Sequence, residues 1–293
     1  LDNQFQEAER AITILDLLTH TSGLEYAVSI SGTGDVAELY EELGLINACI
    51  SASDNMDLLS QVPLIGQPGQ RWNYSVSTDV IGAVIEAVSG EPLGSYANRT
   101  IFEPLGIIDS SWRHDDERLE TLYATLYNPP LPGESAIGQV GGAGINWQLT
   151  ESPRYSACPV GSGARIFDMG GSGLVGTAAD YLVFSLMIAN LGMFDGIRIL
   201  AESSVIAQTS QQVDAAQNIF GGPNMFGAGF GIVPSTDGSN EIDYYYWGGS
   251  NNTGFFVDPK DGTVGVQMSS CYRCRQALIP NIKEMVDQAR IED

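Results

Sequence analysis

One stretch shows helical spacing of apolar residues most plainly: Val80, Ile81, Val84, Ile85 and Val88 follow one face of a 3.6-residue repeat. Asp79 stands near the positive end of that helix and Gly90 at its stop, so Tyr74 is expected in the loop at its mouth. Upstream, Thr13-x-x-Asp16 reads as a capping-box variant opening a short helix with an apolar face of Leu15, Leu17 and Leu18. Gly23 is expected to end that helix in the left-handed conformation. His20 falls in its last turn, where the helix dipole favours a histidine, and a structural role is preferred to a catalytic one. Between residues 24 and 65 the clearest helix is Asp35 to Leu45, and Pro63, Gly66, Pro68 and Gly69 then mark a turn-rich approach to Tyr74. A further helix starts near Pro92 and runs to Phe102, before a turn at Glu103-Pro104-Leu105-Gly106.

From 109 to 168 periodicity is lost, which predicts a long irregular segment of the kind that forms lids or binding loops. Trp112, Tyr123, Tyr127, Trp147 and Tyr155 are either walls of a pocket there or ordinary packing. The apolar helix Tyr181 to Asn190 follows, stopped at Gly192, with Thr177-x-x-Asp180 as a second capping-box variant. Gly171, Gly173 and Gly176 spell a G-x-G-x-x-G just before it, but 164–169 makes a poor strand, so a cap after a tight turn is preferred to a dinucleotide loop.

The last third alternates as strands: Phe226 to Val233, Ile242 to Trp247, Gly254 to Asp258 and Thr263 to Ser269, with a hairpin signal at Asp261-Gly262. Ile279 to Ile291 reads as an amphipathic helix closing over them. Consecutive hairpins make an antiparallel sheet, so the expected fold is mixed α/β (α+β), a sheet flanked by helices with an adjoining helical region. The division this suggests is a mostly helical part over 1–225 and a strand-rich part over 226–293.

At 293 residues the chain is long enough to bury a substantial core. Its 13 basic and 36 acidic residues give a net charge of −23, which repels nucleic acid and anionic membrane and excludes both as expected partners. No apolar run reaches the length of a membrane span. Four cysteines are too few for a disulfide scaffold, and Cys271-x-x-Cys274 is left open between a redox pair, a local disulfide and two packed thiols. With histidines only at 20 and 114 and no second cysteine pair at zinc-ribbon spacing, no metal or other cofactor is expected.

Several chemistries have no residues to run on. There is no Gly-x-Ser-x-Gly elbow, no His-Glu-x-x-His, and neither Lys260 nor Lys283 completes a P-loop. Acyl transfer would need a base other than a triad histidine, and tyrosine is the candidate.

Five segments taken together carry a resemblance. Ile14 to Leu24 (I-L-D-L-L-T-H-T-S-G-L), Trp72 to Gly90, Gly170 to Tyr181, Gly229 to Val233 and Trp247 to Pro259 (W-G-G-S-N-N-T-G-F-F-V-D-P) stand in the order found in β-lactamase-related serine hydrolases. That superfamily holds class C β-lactamases, penicillin-binding DD-peptidases, D-aminopeptidases and family VIII carboxylesterases, and the resemblance implies a bacterial serine hydrolase of β-lactamase/transpeptidase-like fold. Tyr74 resembles the family tyrosine that relays the proton between nucleophile and leaving group. Trp247-Gly248-Gly249 resembles the Lys-Thr-Gly-type motif, which implies substrate binding along these residues and an oxyanion donor at the backbone N–H of Ser250.

Two differences from the family pattern point toward esters. Trp247 replaces a lysine that helps hold a substrate carboxylate and lower the tyrosine pKa, and Val76 replaces the asparagine of Tyr-x-Asn in the substrate-binding set. A third difference concerns the nucleophile: Ser-x-x-Lys occurs nowhere, because Val257 and Pro280 stand three residues before the two lysines. The expectation is therefore a carboxylesterase for short esters, acting through an acyl-enzyme, whose nucleophile segment is outside this chain, in the parent protein or on a separate N-terminal fragment. The alternatives are a β-lactamase or D-amino-acid peptidase, and a homologue that binds without catalysing. A small ester or amide is the expected partner, and a periplasmic or secreted location ranks ahead of a cytoplasmic one.

Overall fold

The computed structural model describes residues 6–27, 32–112, 126–128, 148–150, 166–213, 225–236, 239, 241–249, 252–269 and 278–289. Among them the order is α1 (Ile14–Leu18), α2 (Asp35–Glu42), α3 (Ala52–Leu59), α4 (Ser77–Ser89), α5 (Leu93–Ala97), a π-turn (Asn98–Phe102) and α6 (Glu103–Leu105). Strands β1 (Leu126–Asn128) and β2 (Gln148–Thr150) follow, then α7 (Ala178–Ala189), β3 (Met193–Phe194), β4 (Ile197–Arg198) and α8 (Glu202–Thr209). The rest is β5 (Met225–Phe226), β6 (Gly231–Pro234), β7 (Ile242–Gly248), β8 (Gly254–Val257), β9 (Val264–Gln267) and α9 (Leu278–Ala289). The fold is mixed, with helices against an antiparallel sheet, as the hairpin pattern predicts.

Strands β5 to β9 form a five-stranded antiparallel meander in sequence order, with β7 in the middle. Both faces of this sheet are covered. Tyr245, Trp247, Phe255 and Val257 point to the side packed with Tyr181, Phe184, Met187 and Ile188 of α7. Tyr244, Tyr246 and Phe256 point the other way, toward Ile282 and Val286 of α9. Hence β8 is buried at all four positions rather than at alternate ones. Phe256 is fully buried, which is worth roughly 1.5–3 kcal/mol for a side chain of this size. Its ring lies over Gly265 of β9, where an added Cβ would come within 2.2 Å of the ring. Lys283 clamps α9 to the sheet: its Nζ lies 3.1 Å from Asp258 and 2.7 Å from Asp287, and over the rings of Tyr244 and Phe256.

Packing runs across position 225/226. Helix α7 lies on β8 and β9, and its side chains share one core with theirs, because its apolar residues need the sheet to cover them. The segment expected to be irregular holds the antiparallel pair β1–β2. Trp112 at its start is 8% exposed, stacks on Phe102 and donates from Nε1 to the carbonyl of Met169 at 2.9 Å, so it is a packed core residue. Tyr123, Trp147 and Tyr155, and the side chain of Tyr127, lie outside the description, as do Cys158, Cys271 and Cys274. Cys49 is disulfide-bonded.

Several local expectations hold and several need correction. The Thr13–Asp16 capping box closes both ways, and Arg10 adds an ion pair that holds the Asp16 carboxyl well below the usual range. The helix it opens is capped at Thr19, however, and Leu15 is 51% exposed, so Leu17 alone of the three leucines is fully in the core. The chain turns left-handed first at His20 (φ 54°) and again at Gly23 (φ 82°), which places the histidine beyond the helix rather than in its last turn. Helix character continues past Phe102 through Pro104 to Leu105, since a proline in the first turn of α6 loses no necessary donor. At α7 the Thr177 hydroxyl does cap Asp180 N–H, but the Asp180 carboxylate goes to Asp109 N–H (2.9 Å) and the Ser110 hydroxyl (2.8 Å) instead of closing a box.

Candidate active site

Packing accounts for Gly170 and Gly171, at the head of the glycine run. A Cβ on Gly170 would sit 2.0 Å from the carbonyl of Thr78, and one on Gly171 would sit 2.6 Å from Asp79 Oδ2. Bare glycine backbone therefore lies directly on the first turn of α4, and Gly171 N–H donates to Asp79 Oδ1 at 2.9 Å. Asp79 is buried there, and desolvation pushes its pKa up to about 7.

On the other side, the loop 21–27 is laced to the strand-like run 73–76. The Asn73 side chain donates to the Leu24 carbonyl (2.9 Å), Asn73 N–H to the His20 carbonyl (2.7 Å), and Val76 N–H to the Glu25 carbonyl (3.3 Å). Beneath them runs a buried hydroxyl chain, Ser22 to Ser77 at 2.7 Å, Ser77 to Ser75 at 2.8 Å, and Ser75 to His20 Nδ1 at 3.4 Å. Ser75 N–H donates to the same nitrogen at 3.3 Å, which fixes His20 as an acceptor at Nδ1. Burial pushes the His20 pKa down to about 4. The ring is thus neutral and held by hydrogen bonds, so the dipole argument made from sequence does not apply.

These contacts set Tyr74 inside a cluster of rings. His20 lies 5.0 Å away between centroids, Tyr26 5.1 Å, Trp247 5.7 Å and Trp72 6.4 Å, and Phe226 packs against His20, Trp72 and Trp247. Burial, with the charge of Asp79 adding to it, raises the Tyr74 pKa above the ordinary phenol value.

The structure thus brings together Tyr74 and Trp247 from opposite ends of the chain. Gly248 ends β7 with Gly249 just beyond it, both exposed, and Gly249 N–H donates to the Thr253 carbonyl at 2.9 Å across the turn. Ser250 lies outside the described residues. Val76 is 2% exposed and packs with Leu17, Leu24 and Tyr26, in a cluster that Tyr74 also packs against. Sequence reasoning missed Tyr26 and Phe226. For Tyr26 the available signal was its place two residues after the Thr-Ser-Gly-Leu run, and for Phe226 there was none beyond an aromatic at a strand start. A separate cavity of about 240 Å³, bordered by Ser95, Asn98, Ser111 and Asp168 among others, shares no residue with this cluster.

Residues 2–273 match the β-lactamase family model, over the same segments that the structure packs around Tyr74. The chain belongs to the β-lactamase family. Among curated members of this family, Protein Rv1367c of Mycobacterium tuberculosis is 30% identical over 265 residues, which is 86% of this chain and 60% of that protein. Esterase EstB of Burkholderia gladioli is 29% identical over 269 residues, 86% of this chain and 62% of that protein. Of solved structures, EstCE1, described as a hydrolase with promiscuous acyltransferase activity, superposes with a TM-score of 0.68 at 25% identity, over 89% of this chain and 67% of that one. This β-lactamase-family chain therefore spans a little over 60% of the length of such curated relatives.

Proposed function

We propose that the chain supplies the tyrosine half of a carboxylesterase that acts on short esters through an acyl-enzyme, and that a Ser-x-x-Lys segment outside these 293 residues supplies the nucleophile. The observation that carries this reading is the Trp247 indole packed beside the Tyr74 ring, with centroids 5.7 Å apart. A lysine in the place of Trp247 would offer a substrate carboxylate a cation, whereas an indole offers a neutral donor and an apolar face. An uncharged acyl group suits that surface. The similarity to Esterase EstB and to EstCE1, a hydrolase with promiscuous acyltransferase activity, supports the same reading.

In the proposed reaction the serine hydroxyl adds to the ester carbonyl and its proton passes to Tyr74 with the help of the motif lysine. Collapse of the tetrahedral intermediate breaks the bond to the alkoxy oxygen, which leaves as alcohol with the proton returned from Tyr74. Water then repeats the sequence on the acyl-serine and releases the acid. A phenol raised by burial serves as base only beside a cation, so the lysine of the missing motif has a second duty: to bring the Tyr74 pKa down. The rival reading, binding without catalysis, rests on the absence of Ser-x-x-Lys from the chain. A chromogenic short-chain ester and a chromogenic cephalosporin, tested on the protein joined to its Ser-x-x-Lys segment, separate the readings. Faster ester turnover supports the proposal, cephalosporin preference reverses the substrate class, and turnover of neither supports the binding homologue.

A further inference from the structure

His20 and the serines at 22, 75 and 77 are buried polar residues that the reaction above does not use. The residues on either side of Tyr74 both donate to His20: Asn73 N–H reaches its carbonyl at 2.7 Å, and Ser75 N–H reaches Nδ1 of its ring at 3.3 Å. One residue meets this run with carbonyl and ring together while its backbone is left-handed (φ 54°), a conformation in which His and Asn are enriched among residues other than Gly. The loop that carries His20 is pinned from behind, where Gly69 N–H donates to the Thr21 carbonyl at 2.7 Å and Ile65 N–H to the Gly23 carbonyl at 2.9 Å. On the ring side the Ser75 hydroxyl lies 3.4 Å from Nδ1, and the Ser77 and Ser22 hydroxyls continue the chain at 2.8 and 2.7 Å, which ties position 75 back to the same loop.

We infer that His20 is a positioning residue for Tyr74, a two-point bracket whose carbonyl and Nδ1 fix the main chain on both sides of that tyrosine. Its catalytic consequence rests on the proposed role of Tyr74 as proton carrier. A phenol that takes a proton from one oxygen and returns it to another has to stay in place through both steps, and a displacement of about 1 Å can cost about 100-fold in rate. Tyr74 stands outside any strand or helix, since α4 begins only at Ser77, so the main chain around it needs hydrogen-bond partners from elsewhere. The bracket supplies them from a loop already fixed to residues 65–69. Its chemistry is specific: Nδ1 has to turn a lone pair toward Ser75 N–H, so the ring proton sits on Nε2. An asparagine can do the same, because its side-chain oxygen is bonded to Cγ as Nδ1 is and it tolerates the left-handed backbone. A phenylalanine keeps a planar ring and has no acceptor.

The experiment has two arms. In the 293-residue chain with ¹⁵N-labelled imidazoles, His20 is told from His114, the other histidine, by the signals lost in His20→Asn. At neutral pH Nδ1 is expected in the unprotonated range and Nε2 in the protonated range; a proton on Nδ1, or averaging between the two tautomers, overturns the bracket. In the protein joined to its Ser-x-x-Lys segment, His20→Phe is expected to lower kcat for a short ester about 10- to 100-fold with KM unchanged, and His20→Asn to recover most of that loss. Thermal unfolding checks that both variants fold, and if His20→Phe does not, the tautomer and the rate of His20→Asn decide. A folded His20→Phe with parental kcat, or a loss that His20→Asn does not recover, overturns the positioning role and leaves the hydrolase reading standing. No turnover by the parent joined protein overturns the hydrolase reading and any catalytic consequence of His20 with it, while the tautomer still decides whether the bracket exists.

Discussion

The indole ring of Trp247 packs against the ring of Tyr74, with centroids 5.7 Å apart and 54° between planes. The two residues are separated by most of the chain, and the contact closes the helical part onto the middle strand of the sheet. Trp247→Phe keeps an aromatic ring and removes the donor. In the joined protein it is expected to slow ester turnover by about tenfold, with the acid limb of the pH–rate profile moved to higher pH. Steady-state kinetics across pH check this, and a loss confined to KM would assign Trp247 to substrate contact instead.

Asp79 predicts a pH effect on stability. Its folded pKa is raised to about 7 from an unfolded value of 3.8, so the stability it contributes is fully present below pH 3.8 and is lost as the pH rises toward and through 7. Asp79→Asn keeps an oxygen for Gly171 N–H and cannot ionise. Relative to the parent, the variant is expected to gain stability on going from pH 4 to pH 8, by on the order of a few kcal/mol. Urea unfolding at several pH values measures it, and a parent–variant difference independent of pH would show that Asp79 does not titrate in this window.

Much of this arrangement was legible in the sequence, and the failures have physical causes. The caps at Thr13 and Thr177, the stop at Gly90 and the strand pairs are local signals, carried by residues close in sequence. Tyr74 and Trp247 could be paired only through motif order, because no periodicity links residues so far apart. The burial of Val76 was not legible from its place in a motif. His20 was assigned to the last turn of a helix that ends sooner, since a short helix gives too few residues to fix its end. Tyr26 was invisible because it meets the Tyr74 ring only once loop 21–27 folds onto run 73–76.

Close packing at Gly170 gives a prediction free of any assumption about activity. Gly170→Ala drives a methyl group into the Thr78 carbonyl and is expected to cost about 1–3 kcal/mol. Thermal unfolding reads this directly, and an unchanged Tm would contradict the packing account of the glycine run.

Lys283 is buried between two rings and an aspartate, with 6% of its side chain exposed against 5% for Asp258. Lys283→Ala leaves Asp258 in the interior without this cation and is expected to cost on the order of 3 kcal/mol. Amide hydrogen exchange should show α9 losing protection first, and uniform loss across the sheet would argue against a local clamp.

The central claim is that Tyr74 carries the proton for a nucleophile supplied from outside this chain. Hydrolysis of a chromogenic short-chain ester, measured on the 293-residue chain, on the protein joined to its Ser-x-x-Lys segment and on the joined protein with Tyr74→Phe, tests it most directly. The account predicts turnover by the joined protein alone, reduced about 10²–10⁴-fold by Tyr74→Phe. Full turnover by the 293-residue chain, or an unchanged rate with Tyr74→Phe, would contradict it.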